Sequence, residues 1–140
     1  MKNYESVVQS LIQYNAEEEW FEFKENWFEH HAIGEYISAI SNAAALRGKE
    51  SGYFIWGVNN ETHEIVGTTV NYQKDYNKEP FQHYLARLLT PDLYFSFNEI
   101  EVQGKRVVVL DIPAAKTVPT SFDGIRYIRI GSSKEKINKY

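Results

Sequence analysis

The 140 residues predict an α+β domain with a mixed sheet. Three features carry that expectation. A helix-patterned segment opens the chain and is followed by a strand–helix–strand order. After one more helical stretch the pattern turns to strands. Two pairs of strand-like runs are then separated by Gln103-Gly104 and Asp123-Gly124, the spacing of β-hairpins. A doubly wound parallel sheet would instead keep alternating strands with helices.

Taken in order, Val7, Val8, Leu11 and Ile12 recur at helical spacing and predict a helix from Asn3 to Tyr14. Trp20 to Lys24 reads as a strand, with Phe21 and Phe23 facing one way and Trp20, Glu22 and Lys24 the other. A second helix is expected over Ala32–Leu46, where Ile33, Ile37, Ile40 and Ala44 form one stripe; Gly48 and Gly52 punctuate the turn after it. Tyr53 to Val58 is a nearly continuous apolar run, the pattern of a central strand covered on both faces. Glu64-Ile65-Val66 is expected to form a brief strand after a turn at Asn59–His63. A third helix, Pro80 to Leu89, has Pro at its first turn and apolar Phe81, Leu85, Leu88 and Leu89. Tyr94–Val102 pairs with Lys105–Ile112 across the first hairpin turn, and Pro119–Phe122 with Ile125–Ile130 across the second.

Hydrophobic residues make up 43% and charged residues 24%, which is ordinary globular composition, and an aromatic share of 15% supplies large apolar side chains for a core. No repeat or Pro/Gly/Ser linker interrupts residues 1–140, so one domain is expected. Cysteine is absent, which excludes disulfides and thiolate zinc sites and fits a cytoplasmic location. No apolar run follows a basic cluster at the start, and nowhere do about 18 apolar residues stand together, so neither a secretory signal nor a membrane span is expected. The net charge of -4 argues mildly against a dedicated DNA binder. Charge is unevenly placed, however. Glu17 to Glu29 holds six Glu against one Lys, and Arg126 to Tyr140 holds five Lys/Arg against one Glu. A local basic patch on an acidic protein is compatible with that distribution.

Three ordered segments carry a resemblance. They are Glu17–Lys24, ending Glu22-Phe23-Lys24; Ile37–Gly57, with Ala39-Ile40-Ser41-Asn42-Ala43 and Gly52-Tyr53-Phe54-Ile55-Trp56-Gly57-Val58; and Tyr127-Ile128-Arg129-Ile130-Gly131-Ser132-Ser133. In order and spacing across residues 17–133 they resemble the Schlafen-type, Alba-related domain family. The resemblance implies an Alba-like strand–helix–strand–helix–strand–strand core with an N-terminal helix and a C-terminal hairpin. It also implies nucleic-acid binding, and frequent use at the N-terminus of longer bacterial proteins labelled transcriptional regulators. Such proteins often carry an ATPase-like region and a winged helix, which do not fit in this chain, so an excised or stand-alone domain is expected. Family members have been labelled ATP-binding, a eukaryotic branch cleaves structured RNA, and Alba-like domains often form homodimers.

The basic end is the main candidate site. Tyr127 and Arg129 share a face of the last predicted strand, Arg126 sits with Ile128 and Ile130, and Lys134, Lys136 and Lys139 follow. Cations at one edge hold phosphates, and an adjacent Tyr ring stacks on a base. The expected nucleic-acid contacts are Lys24, Tyr127, Arg129, Ser132 and Ser133, with Arg126 and Lys134 at the rim. The alternative is a solvated tail with Arg129 paired to a carboxylate such as Glu22. Gly131-Ser132-Ser133-Lys134 presents backbone N–H groups to a phosphate as an anion nest does, or simply ends the strand as a turn.

Glu17 and Glu22 are the candidate catalytic carboxylates. The resemblance implies that in the RNA-cleaving branch two such glutamates and an aspartate after the Gly57-Val58 strand hold a divalent cation, whose hardness suits anionic oxygens. Here Asn59 and Asn60 stand at that place, and a neutral amide removes a full negative charge. The expectation is therefore a binder without catalysis or cofactor. A Mg²⁺- or Mn²⁺-dependent ribonuclease and a protein-interaction or dimerisation module are the alternatives, and an acidic surface run balanced by Lys24 is the plain reading of these glutamates.

Glu29-His30-His31 does not suit a metal, because adjacent helical residues point about 100° apart. His30, His31, His63 and His83 read as surface or turn residues. Gly48-Lys49-Glu50 and Gly104-Lys105-Arg106 lack the earlier glycine and the hydroxyl of a phosphate-binding P-loop, and no G-x-S-x-G elbow is present. Phe54, Trp56, Phe95 and Phe97 read as core, and Trp20 as half-exposed.

Overall fold

The apolar run at Tyr53–Trp56 decides the architecture. The computed structural model describes residues 2–137. In it, strand β2 (Ser51–Trp56) lies inside a four-stranded sheet, flanked by β1 (Phe21–Lys24) and β7 (Lys105–Pro113), with β6 (Ser96–Val102) at the far edge. β1 runs parallel to β2, with Phe23 opposite Ile55, and the other pairs are antiparallel, so the sheet is mixed.

Alternation then sends side chains to two buried faces. Phe54, Trp56, Val108 and Leu110 meet Ile33, Ile37 and Ile40 of helix α2 (His30–Leu46) and Phe81 and Leu85 of α3 (Phe81–Leu88). Phe21, Phe23, Ile55, Val107 and Val109 face Val8 and Leu11 of α1 (Tyr4–Leu11) on the other side. Coverage on both sides explains why β2 shows no polar alternation. Burying each large apolar side chain contributes about 1.5–3 kcal/mol. Gly52 is required by the close approach of α2, since a Cβ there would lie 2.3 Å from Cγ2 of Ile40 and 2.6 Å from the Trp20 carbonyl oxygen.

The C-terminal hairpin joins a second four-stranded sheet, made of β5 (Leu89–Thr90), β8 (Ser121–Phe122), β9 (Ile125–Ile130) and β10 (Ser133–Lys136). β8 pairs with β9 only at Ser121–Arg126 and Phe122–Ile125. Beyond that point the open edge of β9 is taken by polar residues of α2. Ser38 Oγ accepts from the Tyr127 N–H at 3.0 Å, and Asn42 Nδ2 donates to the Tyr127 carbonyl at 2.7 Å. The same amide donates to the Thr120 carbonyl at 3.0 Å, while its oxygen accepts from the Thr120 N–H at 2.7 Å. Buried backbone groups need such partners, which gives the Ser and Asn inside this helix their reason.

Both hairpin turns form where expected. Gln103 and Gly104 have φ of 53° and 75°, and Asp123 and Gly124 of 51° and 80°, the paired positive values of a two-residue turn. Several expectations are corrected. Helix α1 ends at Leu11 rather than Tyr14, and α2 begins earlier, at His30. Glu64-Ile65-Val66 makes only a single bridge, Ile65 to Val58, because the turn beginning at Asn59 puts His63 at φ 62° and breaks the extended run. β10 and the short pair β3 (Asp75–Tyr76) and β4 (Glu79–Pro80) are additional strands. Among the described residues no helix is long and apolar enough to cross a membrane.

Candidate nucleic-acid interface

β1 is an edge strand, and its free edge is where the candidate residues converge. Its ladder to β2 runs through Trp20, whose carbonyl accepts from Tyr53 N–H at 3.0 Å, and Lys24, whose carbonyl accepts from Gly57 N–H at 2.7 Å. The alternate residues Phe21 and Phe23 therefore turn their backbone groups outward. Glu17 Oε2 accepts from the Phe23 N–H at 2.6 Å, and Arg129 Nη1 donates to the Phe21 carbonyl at 3.1 Å. An acidic and a basic side chain thus close an edge that would otherwise be left with unpaired groups.

Arg129 is 1% exposed. Its Nη2 lies 2.8 Å from Glu22 Oε1 and 4.0 Å from Glu17 Oε1, and Lys24 Nζ lies 3.6 Å from Glu22 Oε2. The Nε and Nη2 protons have no aligned acceptor, so the Glu22 contact is a close charge pair off the hydrogen-bond line. Glu22 is itself 3% exposed. Burial, reinforced by the negative Glu17 beside it, pushes its carboxyl up to about 7, against the pull of Arg129 and Lys24.

That shift sets a pH dependence. An unfolded Glu22 loses its proton near 4.5, whereas the folded one holds it to about 7. Between those values the native state binds the extra proton, so this group's contribution falls as pH rises through the window. The loss is on the order of 3 kcal/mol. Urea unfolding midpoints of the wild type should fall between mildly acidic and neutral pH, and those of Glu22→Gln should fall much less. Parallel declines in the two proteins would show that Glu22 is not responsible.

The carboxylates do not form a cation site as placed. Glu17 is spent on the Phe23 N–H, and the Arg129 guanidinium already supplies the positive charge beside both glutamates. Asn59, at the position where an aspartate would complete the set, instead accepts from the N–H groups of Glu61 and Thr62 at 2.9 Å each and caps its own turn. Among the described residues no group of three His, Asp or Glu side chains is placed to hold a metal. Mg²⁺ or Mn²⁺ does not fit this donor set.

The structure separates the expected contact residues into two groups. Tyr127 and Arg129 share a face of β9, as alternation requires, but that face is inward. Tyr127 is 6% exposed and its hydroxyl donates to Glu35 Oε2 at 2.9 Å. Lys134 is partly buried, with Nζ 2.5 Å from Glu35 Oε1 and 4.9 Å from the centre of the Tyr36 ring. Burial of Glu35 opposes its ionisation, yet Lys134 and Tyr127 hold its carboxyl below the ordinary value. Lys24 is half-buried, 5.7 Å from the Trp27 ring centre. The accessible members are Arg126, Ser132 and Ser133, together with Lys136, while Lys139 lies outside the described residues.

The expectation for Trp20 is also corrected. Trp20 is 7% exposed rather than half-exposed, packed edge-on against Phe21 at 5.0 Å. His63 is buried within its turn, its ring 4.9 Å from that of Phe23.

The turn between β9 and β10 holds a feature of different character. Gly131, at φ 61°, donates its N–H to Glu19 Oε2 at 3.0 Å. The other carboxylate oxygen of Glu19 accepts from Arg47 Nε at 3.0 Å and, more closely, from Nη2. Arg47 and the Gly131 N–H together hold the Glu19 carboxyl below its ordinary value. Lys49 Nζ lies 4.7 Å from the ring centre of Trp20, the residue after Glu19. A backbone N–H and a guanidinium fork converging on one anion, at an exposed turn followed by two serines, form a built anion site.

Residues 17–138 match the family described as Schlafen, AlbA_2. The chain belongs to that family. Helix α1 precedes the matched region, whose first residue, Glu17, belongs to the Glu17–Arg129–Glu22 cluster. No curated protein matches the chain. Among solved structures, the N-terminal domain of a RecG-related protein from Nitrosomonas europaea, named for an ATP-dependent DNA helicase, is 23% identical. That similarity covers 100% of this chain and 96% of the other, with a TM-score of 0.51. The DIP2311 protein from Corynebacterium diphtheriae is 16% identical over 94% of this chain, with a TM-score of 0.54. This chain spans only 26% of that protein. Both likenesses show the fold.

The Gly131–Lys134 segment of this Schlafen, AlbA_2 domain is legible in the sequence as a nest, whereas Glu19 and Arg47 carry no local motif of their own. The signal that was available is the excess of cations just after a helix C-terminus, opposite an acidic run. What joins them is tertiary, since Glu19, Arg47 and Gly131 come from three separate loops.

Proposed function

We propose that this domain binds nucleic acid, DNA or RNA, at the surface around the β9–β10 turn, and that it does so without catalysis, as a module of a cytoplasmic bacterial regulator. The observation that carries the reading is the anion site of Gly131 and Arg47, bordered by exposed Ser132 and Ser133. Membership of the Schlafen, AlbA_2 family supports it, because the family relates the chain to nucleic acid. Exposed Arg126 and Lys136 lie together at the other end of the β9–β10 hairpin, where Lys136 stands opposite Tyr127 and the Ile137 N–H donates to the Arg126 carbonyl, and they add cations along the same hairpin. The contacts would be to phosphate, which brings salt dependence and little sequence preference.

Fluorescence anisotropy with labelled DNA and RNA tests this. Binding should be measurable at low salt, and for about two neutralised phosphates the slope of log K against log salt should be near -1.8 on duplex DNA. Arg47→Ala should weaken binding uniformly across sequences. Pairing of two copies would double the phosphates met and steepen the slope, which sedimentation at assay concentration reads. Absence of binding at low salt, or an affinity indifferent to both salt and Arg47, would overturn the reading.

A further inference from the structure

Arg47 and the Gly131 N–H do not wait for a ligand with their charges bare, because Glu19 already occupies them. We propose that Glu19 is an intramolecular stand-in for a nucleic-acid phosphate, holding the Gly131–Arg47 site closed until a backbone phosphate displaces it. This rests on the nucleic-acid reading above and adds a regulator to the same site.

A carboxylate and a phosphodiester present the same pattern to these donors. Each offers two oxygens sharing one negative charge, one for the backbone N–H and one for the guanidinium. Gly131 has the positive φ that turns its N–H out of the strand ladder and toward that anion. The site is open enough for exchange, because the Arg47 side chain is 54% exposed and that of Glu19 24%. Glu19 also lies in the irregular stretch between α1 and β1, so its side chain can swing away without breaking a helix or strand.

The arrangement contrasts with the two other carboxylate–cation contacts of this region. Glu22 meets Arg129 in the interior, where neither can leave without exposing a buried partner. Glu35 is held by Lys134 and by the Tyr127 hydroxyl, both partly covered. Only the Glu19 contact combines a backbone donor, an exposed guanidinium and a neighbouring pair of free hydroxyls, those of Ser132 and Ser133. An exposed ion pair is weak, so its displacement lowers affinity by no more than about fivefold. Glu19 thus lowers by the same factor the affinity of any phosphate that must displace it.

The test compares wild type, Glu19→Gln, Glu18→Gln and Arg47→Ala with a short fluorescein-labelled DNA duplex and its RNA counterpart at low salt. Glu18 is the control: it is exposed and lies in the field of Arg47 without a hydrogen bond to it, so its neutralisation changes the same charge outside the site. Glu19→Gln should bind about fivefold more tightly than wild type and Glu18→Gln by clearly less. In ¹⁵N spectra of the wild type the Gly131 amide should shift on adding the duplex, and inorganic phosphate should shift it at about fivefold lower concentration in Glu19→Gln than in wild type. Equal gains from Glu19→Gln and Glu18→Gln would show bulk charge alone and overturn the proposal while leaving nucleic-acid binding intact. No binding by any of the proteins, with a Gly131 amide that does not move, would overturn both.

Discussion

Replacing Arg129 by Met should cost the domain about 3–5 kcal/mol, the usual penalty for removing one partner of a buried ion pair. The guanidinium is 1% exposed and satisfies the Phe21 carbonyl on the free edge of β1. Its loss leaves Glu22 buried beside Glu17 with Lys24, 3.6 Å away, as the remaining cation. Met is close in length and apolar, so the change removes charge and hydrogen bond with little loss of packing. Two further results follow from the same geometry. Without the guanidinium the Glu22 carboxyl should rise further, so the deficit should be larger above neutral pH than at mildly acidic pH. Adding Glu22→Gln to Arg129→Met should restore part of the loss, because the orphaned charge is then gone. Chemical denaturation of the four proteins of that cycle measures all of this. A loss below about 1 kcal/mol, or a double variant no better than the single, would mean the cluster does not clamp β9 to β1. The same reasoning changes what an Arg129 variant says about function. Weakened nucleic-acid binding in such a protein would report a displaced β9, not a lost phosphate contact.

Much of the fold could be read from the residues because the signals were local. The continuous apolar run at Tyr53–Trp56 implied cover on both faces, and the structure puts α2 and α3 on one side and α1 on the other. Gln103-Gly104 and Asp123-Gly124 are short-range signals that need no tertiary information. β10 gave no such signal, since Ser133-Lys134-Glu135-Lys136 has little strand propensity and is extended only because β9 pairs with it. The candidate site divided along the same line. Alternation correctly put Tyr127 and Arg129 together, but period two does not say which face is inside. Charge suggested the outside. Glu22 and Glu17 reversed that by offering a buried guanidinium its counter-charge. Glu19 and Arg47, far apart in sequence, meet only because the chain returns along α2.

Asn42→Leu should be the second most damaging change, although it removes no charge. This side chain makes three hydrogen bonds, all to backbone: with the Thr120 N–H and carbonyl, and with the Tyr127 carbonyl. The Thr120 carbonyl keeps a partner in Ser38 Oγ at 2.7 Å, but the Thr120 N–H and the Tyr127 carbonyl would be stranded in the interior. At about 1–3 kcal/mol for each stranded group, the expected loss is about 2–6 kcal/mol. Asn42→Asp should cost at least as much as Leu at neutral pH, because its carboxylate, although it still accepts from the Thr120 N–H, buries a charge with its second oxygen against the Thr120 and Tyr127 carbonyls. Hydrogen exchange supplies the local readout: the Tyr127 and Thr120 amides should lose protection before the ladder between β2 and β7 does. Uniform loss of protection across both sheets would mean that α2 does not hold β9 independently. The consequence for the surface is direct. Asn42 and Ser38 hold one edge of β9 while Arg129 anchors its inner face, and Gly131 follows immediately at its end. The position of an exposed anion-binding turn is therefore set by polar contacts buried on the opposite side of the strand that leads into it.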